Sequence, residues 1–185
     1  MTMVLETTLL TAEEYLYTPD NGIPNELVRG RIVERRWRHT SHGYYCARIA
    51  SILATFVEQH DCGRIGGGGA GVVTEHDPDT VRGPDVTFYS YERIPRGSLP
   101  EGYWPTAPEL VVDVRSHDDL WKDILRKVGE YVSAGVLTVA VADPQTQRVH
   151  LFSADREATV LNAEDELTFP DILPGFAVRV KMLFE

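Results

Sequence analysis

The stretch Leu110-Val111-Val112-Asp113-Val114-Arg115 decides how this chain folds. A β-strand turns successive side chains to opposite faces, so Leu110, Val112 and Val114 share one face while Val111, Asp113 and Arg115 share the other. An acid and a base therefore project together from an otherwise apolar strand. Burying a carboxylate there costs on the order of several kcal/mol unless it is paired, bound to a metal or placed at an open end of the sheet.

Working outward, a helix is expected over about Asp118 to Ala134, with Gly135 in the C-cap position. Val136 to Ala142 follows as an almost continuous β-rich run, typical of a strand buried on both faces. Strand, helix and strand of this length predict a parallel crossover. Upstream, Asp85 to Tyr89 reads as a further strand. Downstream, Arg148 to Phe152, Ala158 to Leu161 and Ala177 to Met182 read as short strands with Pro170 and Pro174 between them. The expected class is α/β or α+β, a mixed central sheet flanked by helices, in one domain spanning residues 1–185, a usual single-domain length.

In the first half, Thr11 and Glu14 form a capping box for a short helix that ends before Pro19. Glu26-Leu27-Val28 and Arg31-Ile32-Val33 flank Arg29-Gly30 as a hairpin. From Tyr45, the positions Ile49, Ile52, Leu53, Phe56 and Val57 lie on one face of an amphipathic helix of about four turns. Gly63 through Gly71 holds six glycines and is expected to be turn or loop. It lacks the Gly-Lys-Ser/Thr ending of a phosphate loop and the strand-before, helix-after setting of a dinucleotide fingerprint.

Asp and Glu outnumber Lys and Arg by 28 to 18, a net charge of −10, which argues against a surface that grips polyanions everywhere. Any such site is local. Between Arg29 and Arg48 stand six arginines (Arg29, Arg31, Arg35, Arg36, Arg38 and Arg48) against the single acid Glu34, a local charge of +5. With Trp37, Tyr44 and Tyr45 interleaved, the segment suits a phosphate backbone with stacked bases, or else a solvated surface whose arginines pair with nearby acids. No apolar run approaches the roughly 20 residues of a spanning helix. The N-terminus, with Glu6, Glu13 and Glu14 and no basic stretch, does not read as a leader, and a cytoplasmic protein is expected. Cys46 and Cys62 lack the spacing of a zinc or redox pair and are read as reduced thiols.

A second aspartate, Asp85, follows Pro84 at the start of its strand. Two acids at neighbouring strand ends suit one hard divalent cation, since Mg²⁺ takes one or two carboxylates and keeps waters. The helix after Asp113 carries Lys127 in the stripe Leu120, Ile124, Lys127 and Tyr131, whereas Lys122, Arg126 and Glu130 fall on the opposite, outer face. Lys127 either assists a metal-activated water there, or lies along apolar surface and pairs with Asp123 one turn back.

Taken in order, these pieces resemble a known bacterial family: Glu26-Leu27-Val28-x-Gly30; Ser41-His42 opening a long helix; Arg82-Gly83-Pro84-Asp85-Val86; Ala107-Pro108-Glu109-Leu110-Val111-Val112-Asp113-Val114-x-Ser116; Lys127-x-x-x-Tyr131; Gly135-Val136; and Asp143-Pro144. The set, running from about residue 10 to 150, is similar to the Uma-two family of restriction-endonuclease-like proteins, a branch of the PD-(D/E)XK nuclease superfamily. The resemblance implies a restriction-endonuclease-like core and a Mg²⁺ site, with Mn²⁺ able to substitute, for phosphodiester hydrolysis of nucleic acid, DNA foremost. It implies Asp85 as first metal-binding acid, Asp113 as second, Glu26 as the acid completing the site and Lys127 as the motif lysine displaced onto the helix. Asp113 departs from the family's usual glutamate by one methylene. Arg115 stands in the strand slot where the superfamily keeps lysine; it can stabilise phosphate charge but cannot act as a base.

The competing reading is a non-catalytic module on the same fold, in which Arg115 neutralises Asp113 and the arginine-rich segment (Arg31, Arg35, Arg36, Trp37, Arg38) binds nucleic acid or protein. Hydrolysis of another phosphate ester is a third. A two-strand cut would favour a symmetric dimer. His42 is expected to cap or pack. His39, His76 and His117 have no zinc spacing, and Ser116 lacks a nucleophile elbow.

Overall fold

The chain, described here by a computed structural model over residues 9–97 and 99–185, forms three helices, α1 (Ala12–Leu16), α2 (Thr40–His60) and α3 (Trp121–Ser133), and twelve strands. Glu6, one of the acids behind the reading of the N-terminus, lies outside the described residues. The strands are β1 (Asn25–Val28), β2 (Arg31–Glu34), β3 (Gly63–Gly67), β4 (Val72–Glu75), β5 (Thr80–Arg82), β6 (Val86–Ser90), β7 (Leu110–Val114), β8 (Thr138–Asp143), β9 (Arg148–Phe152), β10 (Thr159–Leu161), β11 (Glu166–Phe169) and β12 (Leu173–Arg179). A six-stranded mixed sheet has the order β10-β9-β8-β7-β6-β3, and a four-stranded antiparallel sheet the order β2-β1-β5-β4. Strands β11 and β12 pair separately.

Strand β7 pairs in parallel with β8 across the α3 crossover and antiparallel with β6. Its alternation separates two cores. Leu110, Val112 and Val114 pack with Ile49, Leu53 and Val57 of α2 and with Leu167, Phe169, Phe176 and Leu183 from the C-terminal segment. Val111 packs instead with Val128 and Tyr131 of α3 and Val139 and Val141 of β8. Each fully buried aliphatic side chain is worth about 1.5–3 kcal/mol relative to exposure, so the i, i+4, i+8 set on α2 suffices to fix that helix against the sheet.

The capping box at Thr11 forms as expected, with Glu14 accepting the Thr11 backbone N–H at 2.8 Å. The first hairpin turns at Arg29 (φ 50°) and Gly30 (φ 72°), two left-handed residues matching the strands' right-handed twist. Three expectations are corrected. The glycine run is not all loop: Gly63–Gly67 is the edge strand β3, antiparallel to β6, and only the residues after it turn. The reason is proximity, since a Cβ at Gly63 would sit 2.3 Å from the Tyr89 carbonyl oxygen and one at Gly66 2.6 Å from Thr87 Oγ1. Helix α2 begins at Thr40, next to the Ser41-His42 opening implied by the resemblance and ahead of the apolar face that starts at Tyr45, while α3 begins at Trp121 rather than Asp118, because Asp119 folds back to accept the Ser116 N–H at 2.9 Å. The last strand is Leu173–Arg179, paired with the unanticipated β11, and the chain finishes in a 3-10 turn over Val180–Leu183.

Candidate active site

Asp85 and Asp113 lie opposite each other, one residue beyond the Val86–Val112 pair of the antiparallel β6–β7 ladder. Each carboxylate bonds the other strand: Asp113 Oδ1 accepts the Asp85 N–H at 3.2 Å, and Asp85 Oδ2 accepts the Val114 N–H at 2.7 Å. Among the described residues, Asp85 Oδ1 and Asp113 Oδ2 have no hydrogen-bond partner. The two acids differ electrostatically. Burial, reinforced by neighbouring Asp85 and only partly offset by Lys127, pushes the Asp113 carboxyl up to about 6. Burial also works against Asp85, but His42, the Val114 N–H and Arg38 hold its carboxyl below the usual range. Adjacent carboxylates whose surroundings push one up and hold the other down mark a candidate functional site.

Lys127 is supplied by α3, its side chain 11% exposed, and it does not pair with Asp123. Its Nζ lies 2.8 Å from Glu26 Oε1. Glu26 sits on β1 and is saturated with donors: besides Lys127 it accepts Arg82 at 2.8 Å and the Gly83 N–H at 3.3 Å, with Arg35 at 3.7 Å. Burial would raise the Glu26 carboxyl, yet Lys127, Arg35 and Arg82 together hold it at about 2. Arg82 in turn forks onto Glu130 of α3, at 2.5 and 2.8 Å. Glu130 is therefore not on a solvated outer face as expected; it is 12% exposed and clamps α3 to β5. Charges from β1, β5 and α3 thus set the depth at which Lys127 enters. The Tyr131 hydroxyl is buried beside this network without a hydrogen-bond partner among the described residues.

Arg115 does not neutralise Asp113. Its guanidinium donates to Asp143 of β8 at 2.9 Å and lies over the Trp121 ring, 5.3 Å from the centroid. The salt bridge on which the inactive-module reading was built goes to a different acid. His42 neither caps nor merely packs. The cap of α2 is His39, whose side chain makes no capping bond, whereas His42 places Nε2 at 3.0 Å from the Val114 carbonyl and 3.3 Å from Asp85 Oδ2.

Asp85, Asp113, Arg115 and Lys127 line one cleft of about 620 Å³, together with Arg35, Arg36, Trp37 and Arg38. Its lining is strongly charged and mixed in sign, with Glu34, Asp118, Asp119 and Asp123 standing among the arginines. Arg38 is spoken for: both its contacts to Asp119 are 2.9 Å. Arg36 is exposed and Trp37 is 74% exposed, leaving an aromatic face to solvent at the mouth. Arg31 is exposed on β2 and does not line the cleft. The pairings of four participants were not readable from the chain, although Arg82 and Asp143 stand in the quoted motifs: Arg82 meets Glu130, Asp119 meets Arg38 and Asp143 meets Arg115, each far away in sequence. Glu130 alone carried a clue, being three residues from Lys127 and so on its side of the helix.

A mixed sheet whose two central antiparallel strands carry opposed acids, with a lysine brought in by the crossover helix, defines a restriction-endonuclease-like fold. Residues 12–181 match the Uma2 family, described as "Putative restriction endonuclease", and the chain belongs to that family. A solved structure from Anabaena variabilis, described as a putative nuclease belonging to DUF820, shares the fold with a TM-score of 0.82. The two chains are 19% identical, and the likeness covers 95% of this chain and 97% of that one. Comparison with curated proteins gives no match. Among the described residues no helix is long and apolar enough to cross a membrane.

Proposed function

We propose that the chain is a magnesium-dependent endonuclease hydrolysing phosphodiester bonds of nucleic acid, DNA foremost. The observation that carries this is the opposed pair Asp85 and Asp113, each with one unpartnered oxygen, in a cleft that also holds Arg115 and Lys127. The donor set fits Mg²⁺, a hard cation usually bound by one or two carboxylates with waters completing an octahedron, and Mn²⁺ by the same oxygens. When bound, such an ion lowers the pKa of a coordinated water and stabilises charge on the leaving oxygen.

The chain's own residues do the remainder. Asp85, fixed by the Val114 N–H and His42, enters the site ionised; Asp113, destabilised as an anion by burial, gains most from an arriving cation. Lys127 sits where an ammonium can hold the attacking water or meet developing phosphate charge. Glu26 completes the site by positioning Lys127, since its own oxygens are already engaged. Arg115, tied to Asp143, presents its planar group along the cleft wall as a phosphate anchor. Arg35, Arg36 and Trp37 track the strand at the mouth, with Arg31 further out on the hairpin. A cut through both strands would recruit a second copy about a two-fold axis.

The test is calorimetric titration of Mg²⁺ and Mn²⁺ into the wild type, Asp85→Asn and Asp113→Asn, followed by cleavage assays on DNA and RNA. Saturable binding lost in both variants, with metal-dependent cleavage that follows it, is the expected result. Salt-sensitive nucleic-acid binding with no divalent-metal binding and no turnover would overturn it in favour of the non-catalytic module.

A further inference from the structure

A second cluster of ligand atoms adjoins Asp85. His42 and Cys46 are four residues apart on α2 and so share one face of the helix. Cys46 Sγ is 3.3 Å from His42 Nδ1, and His42 Nε2 is 3.3 Å from Asp85 Oδ2. One donor atom from each of His42, Cys46 and Asp85 lies within 4.8 Å of the others.

The imidazole is already oriented as a metal ligand. Its Nε2 faces two groups that only accept, the Val114 carbonyl at 3.0 Å and Asp85 Oδ2. Nε2 therefore carries the ring proton in the neutral histidine, and the lone pair belongs to Nδ1, aimed at the thiol. Metal-binding histidines commonly donate their other ring N–H to a backbone carbonyl or carboxylate in this manner, fixing tautomer and ring orientation. Four-coordinate zinc, with bonds of about 2.0–2.3 Å, spaces its ligand atoms at about 3.5 Å; the Cys46 Sγ–His42 Nδ1 pair is already at 3.3 Å, and the Asp85 carboxylate closes the set within 4.8 Å.

We infer that His42, Cys46 and Asp85 form a site for a thiophilic divalent cation of the zinc class, separate from the Asp85–Asp113 magnesium site but sharing the Asp85 carboxylate. The ligand set carries the discrimination: sulfur and imidazole nitrogen suit Zn²⁺ or Co²⁺ and offer little to Mg²⁺, which seeks oxygen. On binding, the Cys46 S–H bond breaks, the thiolate sulfur bonds the cation, and the proton passes to solvent; His42 Nδ1 and Asp85 supply the other protein donors and water the fourth. Two dications drawing on one carboxylate weaken each other reciprocally, so zinc here lowers the chain's affinity for magnesium. Of the three ligands, only Cys46 has no part in the proposed hydrolysis, so it is the residue that separates the two readings.

Cobalt is the probe, because a thiolate–cobalt bond has its own charge-transfer absorption. Titrating Co²⁺ into the metal-free protein is expected to give that absorption at one equivalent, reversed by Zn²⁺. Cys46→Ser, which keeps a hydroxyl for the His42 bond, is expected to abolish it and to weaken zinc binding about tenfold or more. Cys62→Ser and Asp113→Asn are expected to retain it. Magnesium titration of Cys46→Ser is expected to match the wild type. Absence of the absorption in the wild type at saturating Co²⁺, its persistence in Cys46→Ser, or loss of magnesium binding in Cys46→Ser would each overturn the separate site. A failed magnesium site leaves the cobalt signal untouched, so the two readings fail independently.

Discussion

Replacing Glu26 with glutamine tests whether the buried charge network under the cleft is an integral part of the fold. The Glu26 side chain is 6% exposed, with Lys127 and Arg82 each at 2.8 Å. A carboxyl held at about 2 against its ordinary 4.5 has its charged form favoured by about 3 kcal/mol, at 1.36 kcal/mol per pH unit. Breaking a buried ion pair from one side costs about 3–5 kcal/mol by an independent route, since it strands the opposite charge. Both routes agree that Glu26→Gln loses about 3 kcal/mol at pH 7, measured by urea unfolding. Because the carboxyl is depressed in the folded state, this stabilisation is complete above pH 4.5 and drains away as pH falls towards 2, so the gap between variant and wild type narrows in acid. A loss below about 1 kcal/mol at pH 7, the worth of an exposed pair, would refute the reasoning and show Glu26 behaving as a solvated acid.

Asp113→Asn is expected to remove magnesium-dependent cleavage and also to stabilise the metal-free protein above pH 6, by up to about 3 kcal/mol. The sign follows from a carboxyl raised from 3.8 to about 6: wild-type stability falls as pH rises from about 4 to about 6 and then levels off, the asparagine variant's does not, and urea unfolding in chelator between about pH 3.5 and 7 reads the difference. Gly63→Ala, whose new methyl would meet the Tyr89 carbonyl oxygen, is expected to destabilise by about 1–3 kcal/mol or more by thermal unfolding. Trp37→Ala, at a position 74% exposed, is expected to leave the melting temperature unchanged while weakening single-strand binding by about 1–3 kcal/mol in a fluorescence titration.

What was legible in the chain were features that local pattern encodes. Strand alternation put Asp113 and Arg115 on one face, helix periodicity brought Lys127 inward, and the turn at Arg29-Gly30 followed from glycine's freedom at positive φ. The order of short motifs was enough to show the family. What stayed hidden depends on contacts between distant segments. Nothing near Arg115 points to Asp143, and nothing near Glu26 points to Arg82, 56 residues away. The glycines of β3 misled for a related reason: their poor strand propensity is a local property, whereas the demand for a missing Cβ comes from β6. His42 was misjudged because its partners, Asp85 and Val114, are separated from it by 43 and 72 residues.

The C-terminal segment has a consequence for synthesis. Leu167, Phe169, Leu173, Phe176, Val180 and Leu183 cover the face of the sheet behind Leu110, Val112 and Val114. A ribosome adding about 5–20 residues per second releases Asp85, Asp113 and Lys127 seconds before that cover emerges. Until it arrives, Leu110, Val112 and Val114 of the strand carrying Asp113 are covered by Ile49, Leu53 and Val57 of α2 alone. The face of the sheet behind the cleft is thereby completed last, by residues that follow every member of the site in the chain.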